Sequence, residues 1–352
     1  MKPRGLATLI GSFPNVDPDR ALRSILEAVP EAPVWPQLPN RDWREGFLPQ
    51  YSEGLPGRIA QPDKGKVFFD TKADLSAELT AFYEAALGAP ETGDFSLFEI
   101  SPEASAGLPA ALEVFAALGS RPPYIKVHTT GALSFSLTVF DRAGTPLYFD
   151  DTFADLTVQS AALKSRWQVR LFRPHADRII CFLDEPALSA FGSSCYQNVT
   201  RNDVVDRLGR VVRAVQEEGA LVGVHVCGNS EWTLLIDAGV DIISFDAFGY
   251  GESIALYAPA VRPFLEGGGV IAWGIVPTSA EIHNHDAASL DEKLGHLVHH
   301  LSGHDVDREL IWQQSMLTPT CGMGTMTVDD SELVMRRLGE LAARVQARIR
   351  ND

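Results

Sequence analysis

Two residues with metal-binding side chains stand two positions apart at the end of an apolar run. The run covers residues 221–227, and its last three residues read His225-Val226-Cys227. Residues two apart in a β-strand point to the same face, so the imidazole of His225 and the thiol of Cys227 are expected to project together. Imidazole nitrogen and thiolate sulfur suit zinc, which usually takes four ligands. The pair therefore predicts half of a zinc site, completed by residues from elsewhere in the fold.

The elements that must position these ligands are short buried strands that alternate with helix-length segments. The predicted strands are centred on Leu9, Trp35, Val127, Leu183, Val224, Phe245, Trp273 and Trp312. Eight such strands predict parallel pairing in one α/β domain over residues 1–352, a single (β/α)8 TIM barrel. Residues 40–68 show no clear period and are interpreted as an irregular N-terminal excursion over the barrel mouth. Residues 95–100 form a candidate extra strand.

The carboxyl ends of the barrel strands are where further ligands are expected, because barrel active sites lie on that rim. Cys321 follows the last predicted strand and is the natural third zinc ligand. Asp246 ends the strand that comes after the His-x-Cys pair, so it is the candidate for the fourth ligand. Glu252, in the next loop, is its rival.

Histidine and cysteine also occur without any role in chemistry. A His-x-Cys pair is short enough to arise by chance, and cysteine is among the residues most often buried in a core. Cys181 and Cys195 are interpreted as core thiols, and four widely spaced cysteines do not suggest a disulfide framework. His283, in the loop after the seventh predicted strand, is a candidate acid/base or positioning group.

Composition narrows the class of partner. The chain has 352 residues and a formal net charge of -16. This acidic balance argues against nucleic acid or an anionic membrane as the main partner, and it favours a small-molecule substrate. The first twelve residues lack the apolar core of a signal peptide, and no run approaches the roughly 20 apolar residues of a membrane span. A cytoplasmic location is therefore expected.

Four motifs, taken in order, resemble the catalytic domain of cobalamin-independent methionine synthase. They are Thr8-Leu9-Ile10-Gly11-Ser12-Phe13-Pro14, Asp184-Glu185-Pro186-Ala187-Leu188, His225-Val226-Cys227 and Pro319-Thr320-Cys321-Gly322. The chain also resembles the wider barrel superfamily of uroporphyrinogen decarboxylases and corrinoid methyltransferases. Its length is similar to that of the short "core" methionine synthases, which lack the second, N-terminal barrel of the full-length enzymes.

The resemblance implies a zinc-dependent methyltransferase that activates homocysteine as a thiolate and methylates it to methionine. His225, Cys227 and Cys321 match the family's zinc ligands. Asp246 falls where the full-length enzymes have a glutamate ligand, so the identity of the fourth ligand departs from the family pattern. For the short synthases, the implied methyl donor is methylcobalamin or a corrinoid protein, and a corrinoid protein is then an expected partner.

The resemblance also implies how the amino-acid end of homocysteine is bound. The segment Ile10-Gly11-Ser12 matches the backbone that holds the substrate carboxylate, and Asp184 matches the aspartate that receives its ammonium group. Gln37 stands near the position of a glutamate that shares this task in the family. The family's catalytic histidine has no clear match after the seventh strand, and His283 is only a loose counterpart.

Three alternative functions remain open at the sequence level. One is a methylcobamide-dependent transfer to another thiol of the coenzyme M type, which Asp184 disfavours because a sulfonate thiol has no ammonium group. Another is a methionine synthase that uses a methyl-folate donor. The third, an enzyme similar to uroporphyrinogen decarboxylase, would need basic residues for its carboxylate-rich substrate, and the rim is poor in arginine.

Overall fold

The computed structural model describes residues 1–351, except for the side chains of Cys195 and Asn351. The strands are β1 (Leu6–Ala7), β2 (Arg58–Gln61), β3 (Lys66–Phe69), β4 (Tyr124–Thr130), β5 (Arg178–Asp184), β6 (Leu221–Val226), β7 (Ile242–Phe245), β8 (Val270–Val276) and β9 (Ser315–Pro319). The α-helices are α1 (Pro18–Ala28), α2 (Ser76–Thr92), α3 (Gly107–Ala116), α4 (Ala132–Thr138), α5 (Asp151–Phe172), α6 (Arg201–Gln216), α7 (Thr233–Asp237), α8 (Ala247–Tyr250), α9 (Ala258–Glu266), α10 (Ala287–Ser302), α11 (Arg308–Gln313) and α12 (Val328–Asn351). Within this range, each helix is too short or too polar to cross a membrane.

Seven strands form one parallel sheet that curls into a half-barrel, in the order β1-β9-β8-β7-β6-β5-β4. Alternate residues of one strand belong to different apolar layers. On β5, Ile180 and Phe182 belong to a small cluster, whereas Cys181 and Leu183 belong to the large core. The small cluster fills the inside of the curl, and the large core lies between the strands and the surrounding helices. Both faces are covered, as expected for a parallel sheet.

The closed barrel of eight strands predicted from the sequence is not what the structure shows. The strand expected around Trp35 is an irregular segment, which we call the seam (residues 31–38). Isolated parallel bridges join it to both edges of the sheet, at Val34–Lys126 and at Ser12–Gln37. Prolines interrupt and flank the seam at Pro33, Pro36 and Pro39. A proline has no backbone N–H to donate to a ladder, so a continuous strand cannot form here.

The last strand of the sheet lies after Trp312 rather than around it. Trp312 belongs to helix α11, and β9 begins at Ser315. The side chain of Asp307 caps this helix by accepting a hydrogen bond from the backbone N–H of Leu310 at 2.6 Å. A short apolar run fits a buried strand and a buried helix turn equally well, which explains the wrong prediction. The extra strand expected at residues 95–100 is likewise absent, since residues 96–98 form a turn and the described residues beside them are irregular.

The excursion predicted for residues 40–68 packs over the carboxyl end of β4. Its backbone carbonyl at Phe47 accepts a hydrogen bond from the Thr130 hydroxyl at 2.6 Å, and the Tyr51 hydroxyl donates to the backbone carbonyl of His128 at 2.8 Å. Part of this region is more regular than expected, because β2 and β3 form an antiparallel hairpin. The excursion therefore supplies one wall at the mouth of the half-barrel.

Candidate metal centre

The structure brings His225, Cys227 and Cys321 together at the carboxyl ends of two strands. His225 is the penultimate residue of β6, Cys227 follows that strand directly, and Cys321 lies two residues beyond β9. One ligand atom from each residue lies within 4.8 Å of the other two. Ligand atoms around a tetrahedral zinc ion are about 3.5 Å apart, given bond lengths of about 2.0–2.3 Å. A small inward movement of the side chains would therefore complete three corners of such a site.

The imidazole of His225 is arranged as that of a metal ligand. Its Nδ1 lies 3.0 Å from the Ser244 hydroxyl oxygen on the neighbouring strand β7. Its Nε2 is buried and has no hydrogen-bond partner among the described residues. A metal-binding histidine typically donates its other ring N–H to a nearby oxygen, which fixes the orientation of the ring. The orphaned Nε2 next to two thiols therefore fits zinc.

The protonation of these residues also suits metal binding. Burial lowers the pKa of His225 to about 3, so the imidazole is neutral and its lone pair is free at neutral pH. A hydrogen bond from the Cys321 thiol lowers the pKa of Cys227, and the same contact raises the pKa of Cys321 far above its usual range. One thiol of the pair thus ionises before the other, and a bound metal would favour loss of the second proton.

Neither candidate for the fourth ligand belongs to this group. The carboxylate of Asp246 caps helix α8 and accepts a hydrogen bond from the backbone N–H of Gly249 at 2.8 Å. Burial raises the pKa of Asp246. Glu252 is exposed. Of the two, Asp246 remains the candidate, because it follows β7 directly beside the strand that carries His225.

The three ligand candidates open into a cavity of about 400 Å³. The cavity is also lined by Ile10, Ser12, Gln37 and Asp184, which the sequence predicted as substrate-binding residues. Gly11 lies between two lining residues and has a φ of +143°, and a Cβ at this position would lie 2.7 Å from the His128 ring. Glycine is therefore required at this close approach.

His283 is not part of this cavity. Its Nε2 lies 2.8 Å from a carboxylate oxygen of Asp330, in an exposed ion pair. The residues that line the cavity do not include it. The structure therefore gives no support to His283 as an acid/base group, although its position in the loop after β8 was predicted correctly.

A buried cation beneath the cavity was not singled out from the sequence. Lys126 on β4 is fully buried, and its Nζ donates to the backbone carbonyl of Ile10. Burial raises the pKa of Asp184 and lowers that of Lys126, and their opposite charges partly offset both shifts. Oδ1 of Asp184 is buried without a partner among the described residues, which leaves it free for a ligand. A lysine in the middle of a buried strand was the signal that could have revealed this pair.

Comparison with known proteins supports the fold. No protein-family model and no curated protein matches the chain. Among solved structures, the chain is similar to a B12-independent methionine synthase from Shewanella sp. W3-18-1, determined in complex with selenomethionine. The two share 14% sequence identity with a TM-score of 0.58, and the alignment covers 99% of each chain. At this identity the likeness shows a common fold, and the site itself must be argued from its own residues.

Proposed function

We propose that this protein is a zinc-dependent methyltransferase that methylates the thiol of homocysteine to give methionine. One observation carries the proposal: a His-Cys-Cys group with an orphaned imidazole nitrogen opens into the same cavity as an unpartnered aspartate oxygen. The first group suits a metal that takes a thiol, and the second suits an ammonium group. Homocysteine carries both functions on one small molecule.

Some side chains would bind the metal directly, and another orients one of its ligands. His225, Cys227 and Cys321 would bind it, and Ser244 orients the imidazole through the 3.0 Å contact with Nδ1. Zinc, when bound, supplies the Lewis acidity that keeps a substrate thiol ionised at neutral pH. Asp246 would be the candidate among the protein side chains for a fourth ligand.

The amino-acid end of the substrate would lie against Asp184 and the segment from Ile10 to Ser12. The carbonyls of this segment are already engaged: Ile10 accepts from Lys126, Gly11 from the backbone N–H of Gln37, and Ser12 from that of Met323. These contacts hold the segment rigid at the cavity wall, so its N–H groups can meet a carboxylate without rearrangement. Asp184 receives the ammonium group.

In the transfer, the substrate sulfur attacks the methyl group of the donor. The S–CH3 bond forms as the bond between methyl and donor breaks, and the sulfur reacts as a thiolate that has already given up its proton to solvent. The corrinoid donor expected from the sequence gains no support from the similar structure, which is that of a B12-independent enzyme. A methyl-folate donor therefore stands beside methylcobalamin as the alternative.

An assay of the zinc-loaded protein with homocysteine tests the proposal. Methionine is measured by mass spectrometry with methylcobalamin or methyl-folate as donor, and coenzyme M replaces homocysteine in a parallel reaction. The variant Cys227→Ser is expected to lose both bound zinc and turnover. Full turnover by this variant without metal, or turnover with coenzyme M alone, would contradict the proposal.

The lining of the cavity weighs against a decarboxylase of carboxylate-rich substrates. Its lining residues include neither arginine nor lysine in the described part of the chain, and the nearby Lys126 is buried beneath the wall. Several substrate carboxylates would then lack cationic partners. A substrate with one carboxylate and one ammonium group matches this lining better.

A further inference from the structure

Two buried glutamines form consecutive hydrogen bonds at one wall of the cavity. Gln37 lines the cavity and is 6% exposed, whereas Gln50, in the excursion, is fully buried. Nε2 of Gln37 donates a hydrogen bond to Oε1 of Gln50 at 2.8 Å. Nε2 of Gln50 in turn donates to the backbone carbonyl of Ala104 at 2.5 Å. The cavity wall is thus connected to the backbone by two consecutive amide hydrogen bonds.

The direction of these two bonds is fixed from the outer end. A backbone carbonyl can only accept, so Gln50 must present its Nε2 to Ala104 and its Oε1 to Gln37. Gln37 must then present its Nε2 to Gln50. Its own Oε1 accepts no hydrogen bond from the described residues, and Gln37 itself lines the cavity. The amide of Gln37 therefore offers an acceptor to whatever occupies the cavity.

We propose that Gln50 is a positioning residue that holds the Gln37 amide with its oxygen toward the cavity. This makes the wall selective for a thiol substrate with an ammonium group. The inference rests on the proposed function, because it concerns the same substrate site. Together with the unpartnered Oδ1 of Asp184, the amide oxygen gives the ammonium group two acceptors. A flipped Gln37 would instead point two N–H groups at that cation.

Binding of two matched thiols to the zinc-loaded protein tests this role. Homocysteine and 4-mercaptobutanoate differ only in the amino group, so the ratio of their affinities isolates recognition of the ammonium. The wild type is expected to prefer homocysteine. Gln50→Leu is expected to lower that ratio about tenfold, because hydrogen bonds to a charged group contribute more than neutral ones.

A double-mutant cycle separates positioning from general damage. If Gln50 acts through Gln37, then Gln37→Leu lowers the ratio by a similar factor, and adding Gln50→Leu to it changes the ratio less than threefold. Gln314→Leu is the matched control, since Gln314 is also buried and donates to a backbone carbonyl, that of Leu265, but does not line the cavity. This control is expected to keep the wild-type ratio.

The outcomes are distinguishable. An unchanged ratio in Gln50→Leu, or an equal drop in the wild-type and Gln37→Leu backgrounds, overturns the positioning role. Equal affinity of the wild type for both thiols also overturns it, while leaving thiol binding and the proposed chemistry in place. If the zinc-loaded wild type binds neither thiol, the proposed function itself is wrong, and the role of Gln50 is refuted with it.

Discussion

The hydrogen bond between His225 and Ser244 is expected to set the affinity of the metal site. When Nε2 of His225 binds a metal, the ring proton must sit on Nδ1, where the Ser244 hydroxyl, 3.0 Å away, accepts it. In the variant Ser244→Ala this buried N–H has no acceptor, because the methyl group cannot accept a hydrogen bond. The metal-bound state then carries a desolvation penalty of about 1–3 kcal/mol.

Part of that penalty is also present without metal, since the buried imidazole always carries one ring N–H. The desolvation penalties of the metal-bound and metal-free states therefore differ by about 1.4 kcal/mol, near the lower end of that range. This difference corresponds to tenfold weaker zinc binding. Competition with a chelator of known zinc affinity measures this change.

Ser315→Ala is the matched control for that measurement. Ser315 is equally buried on the same sheet, but its hydroxyl bonds Trp273 and the Ile311 carbonyl rather than a ligand candidate. Its zinc affinity should stay within twofold of the wild type. If Ser244→Ala also stays within twofold, the second contact of His225 does not support the metal, and this account of the site is refuted.

Lys164→Met is expected to stabilise the protein by about 3 kcal/mol at pH 7, because Nζ of Lys164 is buried without a described partner and burial lowers its pKa from 10.5 to about 8. Between pH 8 and 10.5 the unfolded chain holds this proton and the folded chain does not, so the free energy of unfolding of the wild type rises with pH and the stability difference between variant and wild type shrinks. Urea unfolding that gives the same stability difference at pH 7 and pH 10 would contradict this. His283→Ala should keep kcat within twofold in the methyl-transfer assay, since His283 pairs with Asp330 outside the cavity, and a tenfold loss would restore its catalytic role. Gly131→Ala should lower the Tm by several degrees in thermal unfolding, because its Cβ would lie 2.1 Å from the buried carboxylate of Glu185, and an unchanged Tm would show that the contact relaxes freely.

The parts of the site that the sequence predicted are those set by strand periodicity. His225 lies in β6 and Cys227 follows that strand directly, so the alternation expected from the sequence still brings the two side chains together. Cys321 joins them because parallel strands end on one rim. The same rule predicted Asp246 as the fourth ligand, but its carboxylate caps a helix. A short helix begins directly after β7, and its N–H groups compete for the carboxylate. Helix N-capping determines what such a carboxylate binds, and the positions of the strands do not reveal it.

Contacts between distant parts of the chain could not be predicted. Ser244, Lys126 and Gln50 affect the site through neighbours that are 13 to 116 residues away in sequence. The strand predicted around Trp35 failed for a local reason instead, because the prolines of the seam remove backbone donors. Which buried polar side chains contact one another is thus known only from the folded structure, whereas the order of the parallel strands follows largely from the sequence.

The seam has a consequence for how the molecule moves. Its isolated bridges give residues 31–38 fewer ladder hydrogen bonds than a full strand would have, so this segment should open at lower free energy than the rest of the sheet. Amide hydrogen exchange would then be faster along the seam than along the paired strands of the sheet. Gln37 belongs to the seam, so a ligand that contacts this side chain is expected to raise the free energy of this local opening. Substrate binding would then slow amide exchange along the seam.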